Sequence, residues 1–164
     1  DASGSTAEYV RHGTVWRDTL DNIKQIKKVT PHVVLNITST VSWLTLENIM
    51  NLQTLWIKQG LFTKDQLKIS TLISPTFLCL TSLPQFHKER LSEKIEHHIS
   101  KLGQCQLSQH WAEAKNFMNS TNSQYTLFEF TSTTQKLDNH RKESFVEVFP
   151  QFSDIYSVAN NQQV

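Results

Sequence analysis

The chain has 164 residues, 16 basic against 15 acidic, with 38% hydrophobic and 19% charged side chains. That length supports one domain with a real core, and a net charge of +1 lacks the basic footprint of a dedicated nucleic-acid partner. No apolar run reaches the ~18 residues that cross a bilayer and no signal peptide is seen, so a soluble protein without a membrane partner is expected. Only two cysteines occur, Cys79 and Cys105, too few for a disulfide scaffold, which points to a reducing, cytoplasmic setting. They are also too few to ligate an iron–sulfur cluster. The chain opens on Asp1 rather than methionine, so the visible N-terminus need not be the start of a gene product.

Residues 1–7 are small and polar and read as a loop. From Thr14 a helix is expected, with Trp16, Leu20, Ile23 and Ile26 on one face and Lys27, Lys28 and Pro31 marking its end. Residues 33–37 form a β-branched, apolar run that reads as a buried strand of a parallel sheet. A second helix is expected over 45–59. Thr45 is its candidate N-cap, Leu46, Ile49, Met50, Gln53 and Trp56 are its buried stripe, and Gly60 follows as the left-handed residue past its end. Residues 67–73, ended by Pro75, are the next strand, so strand, helix and strand make one β-α-β crossover. After Pro84 the pattern turns helical. Leu91, Ile95, Ile99 and Leu102 form one stripe, and Leu107, Trp111, Ala114 and Met118 another. A polar break at 119–123 precedes one or two helices carrying Phe130, Leu137, Phe145, Val148 and Phe149.

Several residues and spacings then point to a family. Asp1, Gly4, Glu8, Tyr9, Arg11, Gly13 and Trp16 stand in the register of a Ser-x-Asp-x-x-Gly stretch followed by Glu-Tyr-x-Arg-x-Gly-x-x-Trp. Residues 40–42 read Thr-Val-Ser, residues 73–84 carry a proline–leucine–Leu-Pro pattern, and Leu137, Asp138, Arg141, Phe149 and Pro150 follow near the end. In this order they resemble the C-terminal part of twitch-domain radical S-adenosylmethionine proteins. The resemblance implies an α/β fold in which 1–84 closes a partial (βα)6 barrel, 85–159 is a helical C-terminal region and 160–164 a disordered tail.

It also implies an enzyme that cleaves S-adenosylmethionine at a [4Fe–4S] cluster and modifies an unknown substrate. The Cys-x-x-x-Cys-x-x-Cys loop and the Gly-Gly-Glu-Pro element of that family are absent from these 164 residues, so the chain alone should be inactive. The missing N-terminal half, or another chain, is then the expected partner. The alternatives are a non-catalytic interaction module and one half of a split protein. By the match, Arg11 grips the carboxylate of S-adenosylmethionine, a task suited to the guanidinium fork. Asp1 lies on the ribose side. Thr40 and Ser42, on one face at the end of a strand with Asn36 and Thr38, face adenosine or substrate.

Each of these has a plainer alternative. Arg11 can be a surface residue paired with Glu8, and the polar strand face can meet solvent. The seven histidines show no chelating spacing and are expected to be solvated. Cys79, inside an apolar run, reads as a core thiol, and nothing orients Cys105 and His110 as a nucleophile pair. The four tryptophans, Trp16, Trp43, Trp56 and Trp111, fall mostly on apolar helix faces and are expected to pack in the core.

Overall fold

The structure is a computed structural model that describes residues 1–158. The expected tail at 160–164 lies outside the described residues. The fold is mixed α/β and mostly helical, with one small two-stranded parallel sheet. In chain order it runs α1 (Gly4–Val10), α2 (Trp16–Val29), β1 (Ile37–Val41), α3 (Leu46–Lys58), β2 (Leu67–Thr71), α4 (Gln85–Leu102), α5 (Gln106–Ser120), α6 (Leu127–Arg141), α7 (Phe145–Val148) and α8 (Ser153–Val158). Short 3-10 turns fill several of the connections.

The β-α-β crossover expected from the sequence is present, but its first strand is displaced. β1 covers 37–41 rather than 33–37, and Val33 and Val34 are exposed. The partner strand decides this. β2 pairs with β1 from Ile37↔Leu67 to Val41↔Thr71, so the partners of 33–36 would lie at 63–66. Those residues form a 3-10 turn closed by a Thr63–Gln66 capping box, and Gln66 Nε2 donates to the Leu35 carbonyl at 3.1 Å. No strand is available there, so the apolar run has nothing to pair with.

The N-terminal segment departs from expectation too, because Gly4–Val10 is a helix and not a loop. It turns into α2 through Gly13, whose φ of +89° suits a residue without a side chain. Val15, at the N-cap of α2, has no side-chain oxygen, and Glu8 supplies one: its Oε1 accepts from Trp16 N at 3.0 Å. The face of α2 predicted to be apolar is only half covered, through the stacking of Trp16 on Trp56 and the contact of Lys27 with the Phe62 ring. Ile26 on that face is exposed.

α3 forms over the expected residues and Gly60 takes the expected left-handed conformation at φ +67°. Thr45 does not cap this helix with its side chain. Its hydroxyl turns back into the β1–α3 connection, accepting from Ser42 N and donating to the Thr40 carbonyl, each at 3.0 Å. Gln53, the one polar residue in the buried stripe of α3, is buried as well and accepts from Trp111 Nε1 at 2.9 Å.

The core is continuous from β1 through α8. Trp43 is one centre of it, in the core as expected, and it sits in the connection after β1. Its ring meets Phe130 and Phe152 edge-on at 4.8 and 5.0 Å, and Nε1 donates to the Phe77 carbonyl at 2.9 Å. The N-terminal helix is tied to the far end of the chain by Tyr9. Its hydroxyl donates to Asp138 Oδ1 at 2.6 Å, and Asp138 Oδ2 accepts from Phe145 N at 2.8 Å. These are residues of the N-terminal and C-terminal motifs read from the sequence, now in direct contact.

Candidate functional site at the strand ends

In a parallel sheet the carboxyl ends of the strands are where connections diverge and leave a crevice. A cavity of about 340 Å³ lies there, lined by Asp1, Val10, Arg11, Thr40, Ser42, Leu44, Thr45, Leu72 and Leu78. All four residues singled out from the sequence, Asp1, Arg11, Thr40 and Ser42, therefore meet in one place. Asn36 and Thr38, which share the strand face, do not line it. Both are exposed, further back along β1.

The polar side of the cavity is built around one carboxylate. Arg11 Nε donates to Asp1 Oδ2 at 2.7 Å, and Arg11 Nη2 bonds the same oxygen. Asp1 Oδ1 accepts from the backbone N–H of Thr40 at 2.8 Å. Asp1 thus bridges α1 to the end of β1, and its side chain is mostly covered while that of Arg11 is 64% exposed. Glu8 is not the partner of Arg11, because it is committed to the start of α2. Arg11 and Asp1 also border a second cavity of about 180 Å³ with Thr14, Trp16 and Thr19, so their ion pair stands between the two spaces.

The apolar side was not anticipated from the sequence. Leu44, Leu72 and Leu78 give the cavity an apolar part of its lining, in addition to the Asp1–Arg11 pair. The one signal for it was position: Leu72 directly follows β2 and Leu44 follows β1 by two residues beyond Ser42. A space lined by a guanidinium and by leucines suits a small molecule with an anionic end and an apolar body.

The cysteines have structural places. Cys79 is buried, its thiol donates to the Pro75 carbonyl at 3.4 Å, and burial pushes its pKa up. Cys105 is the N-cap of α5 in a box with Ser108. The expectation of solvated histidines fails at two positions. His87 is 2% exposed, with Nε2 2.7 Å from Asp154 Oδ2, and His98 is 5% exposed against Gln53. Among the described residues, no three His, Cys, Asp or Glu side chains gather as metal ligands, and no helix is long and apolar enough to cross a membrane.

Comparison with known protein families, with curated proteins and with solved structures finds no match to this chain.

Proposed function

We propose that this chain forms the closing βα units of a partial (βα)6 barrel and supplies one wall of the active site of a cytoplasmic radical S-adenosylmethionine enzyme. The observation that carries the reading is the meeting of Asp1, Arg11, Thr40 and Ser42 around one cavity at the carboxyl ends of β1 and β2. Arg11 already holds a carboxylate there, that of Asp1, so the fork is oriented for such a group. In this proposal the carboxylate of S-adenosylmethionine takes over Arg11 from Asp1, while Thr40 and Ser42 face its adenosine or the substrate. The bound molecule would supply the reactive sulfonium, and this chain's residues would orient it and shield it from water.

The residues present do not fit a [4Fe–4S] cluster. The two thiols serve the core and a helix cap, and no third cysteine exists. The cluster of such an enzyme therefore belongs, in this proposal, to a partner chain or another segment. The surface suits that arrangement. Among the described residues β1 pairs on one side only, and Ile26, Val29, Val33 and Val34 stand exposed. An unpaired strand edge, with exposed Val33 and Val34 a few residues ahead of it in the chain, is a ready place for a further strand. The same surface favours the second reading, a module that binds a partner without catalysis.

Calorimetry separates the two. S-adenosylmethionine should bind the chain weakly, and either removing the ligand's carboxylate or making Arg11→Gln should weaken it by about tenfold. Binding that survives both changes would contradict the role given to Arg11, and no binding at all would leave the interaction module as the better account.

A further inference from the structure

A second site lies away from the strand ends, in the groove between α3 and α4. Two cavities of about 250 and 210 Å³ share Thr54, His98 and Lys101 in their walls. His98 is nine-tenths buried, and its ring is set by a neighbour that can only donate. Trp111 Nε1 donates to Gln53 Oε1 at 2.9 Å, which fixes the amide with its oxygen toward that pair. His98 Nε2 lies 3.2 Å from the same oxygen, so Nε2 carries the ring hydrogen and Nδ1 carries the lone pair. Nδ1 faces Thr54 Oγ1 at 3.5 Å, but the hydrogen of that hydroxyl goes to the Met50 carbonyl at 2.9 Å. The Nδ1 lone pair is thus left with one long contact, to a hydroxyl whose hydrogen is used elsewhere, on a residue that lines both cavities.

The charge around this acceptor is positive. Lys94 and Lys101 line the first cavity, and Lys58, Lys64 and Lys101 the second. The one carboxylate present, Glu47, is taken up by Arg90 at 3.1 Å and by Lys94. Lys64 reaches the Leu102 carbonyl at the end of α4. Burial, with the charges of Lys101 and His97, lowers the His98 pKa to about 4 and keeps the ring a neutral acceptor. Lys58 and Lys101, lining the same cavities as a neutral lone pair, favour an anion that also has a hydrogen to give.

We propose that the α3–α4 groove binds an oxyanion bearing a hydroxyl hydrogen, of which hydrogen phosphate is the simplest, with Lys101 and its neighbouring lysines on the charged oxygens and His98 Nδ1 accepting the hydrogen. The hydroxyl sits either on the phosphate itself or on the carbon skeleton of a phosphate ester. Sulfate is the discriminating control. At mildly alkaline pH it matches the charge of monohydrogen phosphate but has no hydrogen to donate.

The test is titration of the full 15N-labelled chain with inorganic phosphate, sulfate and glycerol 3-phosphate, following the ring nitrogens of His98. Phosphate should shift Nδ1 saturably and bind about tenfold more tightly than sulfate. Lys101→Gln, an exposed position that tolerates change, should weaken phosphate by a similar factor. Glycerol 3-phosphate binding at least as tightly as phosphate marks an ester site, and weaker binding marks a site for the free ion. Equal affinity for sulfate and phosphate, shifts at Arg11 and Thr40 instead of His98, or no saturable shift would overturn the proposal.

Discussion

Asp1 has a role that its place in the sequence did not announce. It joins Arg11 to the backbone of Thr40, and so fixes α1 against the end of β1. Asp1→Ala should lower stability by about 1 kcal/mol in urea unfolding, most of it from the Thr40 amide left without its acceptor, since the exposed Arg11 pairing contributes little. An unchanged midpoint would show that the bridge is not formed in solution. His98 gives a second residue-scale expectation. Its ordinary value of 6.5 applies to the unfolded chain and about 4 to the folded one, so unfolding takes up a proton in between. The stability it contributes is complete above pH 6.5 and is lost as pH falls toward 4, by up to about 3 kcal/mol. The charged and titratable groups that line its two cavities are Lys94, His97 and Lys101 from α4, Glu47 and Lys58 from α3, and Lys64 from the turn before β2. His98→Gln should flatten the stability profile over that window.

Neither residue's partner was legible in the sequence. Gln53 appeared there as one polar residue in an apolar stripe, and nothing local says that Trp111, 58 positions on, will use its oxygen. Arg11 was separated from solvent-facing arginines by resemblance alone. Its partner Asp1 became clear only once α1 had formed.

At the scale of elements, hydrophobic periodicity located α2, α3, α4 and α5 well, because each carries a stripe that is at least partly covered. The crossover was legible for the same reason. The position of β1 was not, since a parallel strand is defined by its partner and the register is a contact over 30 residues. α1 was missed because a short helix that opens on Gly-Ser-Thr-Ala has no stripe to read; Asp1 ties it to β1, and Tyr9 ties it to the C-terminal helices. Burial and the Asp138 carboxylate raise the phenol's pKa far above its ordinary value, so Tyr9 stays a donor across the working pH range. Tyr9→Phe keeps the edge contacts to Phe145 and Phe149 and removes the bond to Asp138. We expect a loss of about 1–2 kcal/mol by urea unfolding, together with faster hydrogen exchange in α1. Equal protection in the variant would place the anchor elsewhere.

At the scale of the molecule, one aromatic cluster joins the crossover to the C-terminal helices. Trp43 belongs to the first, Phe130, Phe145 and Phe152 to the second, and Tyr9 meets Phe145 and Phe149 from the N-terminal side. Unfolding should therefore be a single cooperative transition, and Trp43→Ala should cost about 3–5 kcal/mol and destabilise both parts together. Two separate thermal transitions in the unmodified chain would contradict this. The edge of β1 left unpaired among the described residues is the counterpart of that core, and it is where the proposed partner strand would add.

The claim that the cavity at the strand ends receives a carboxylate-bearing ligand is tested most directly by nuclear magnetic resonance on the labelled chain. S-adenosylmethionine should move the Arg11 Nε–H and the Thr40 amide together, as Asp1 gives up its place, while the decarboxylated analogue leaves both where they are. Movement with either molecule alike, or movement at neither nucleus, would contradict it.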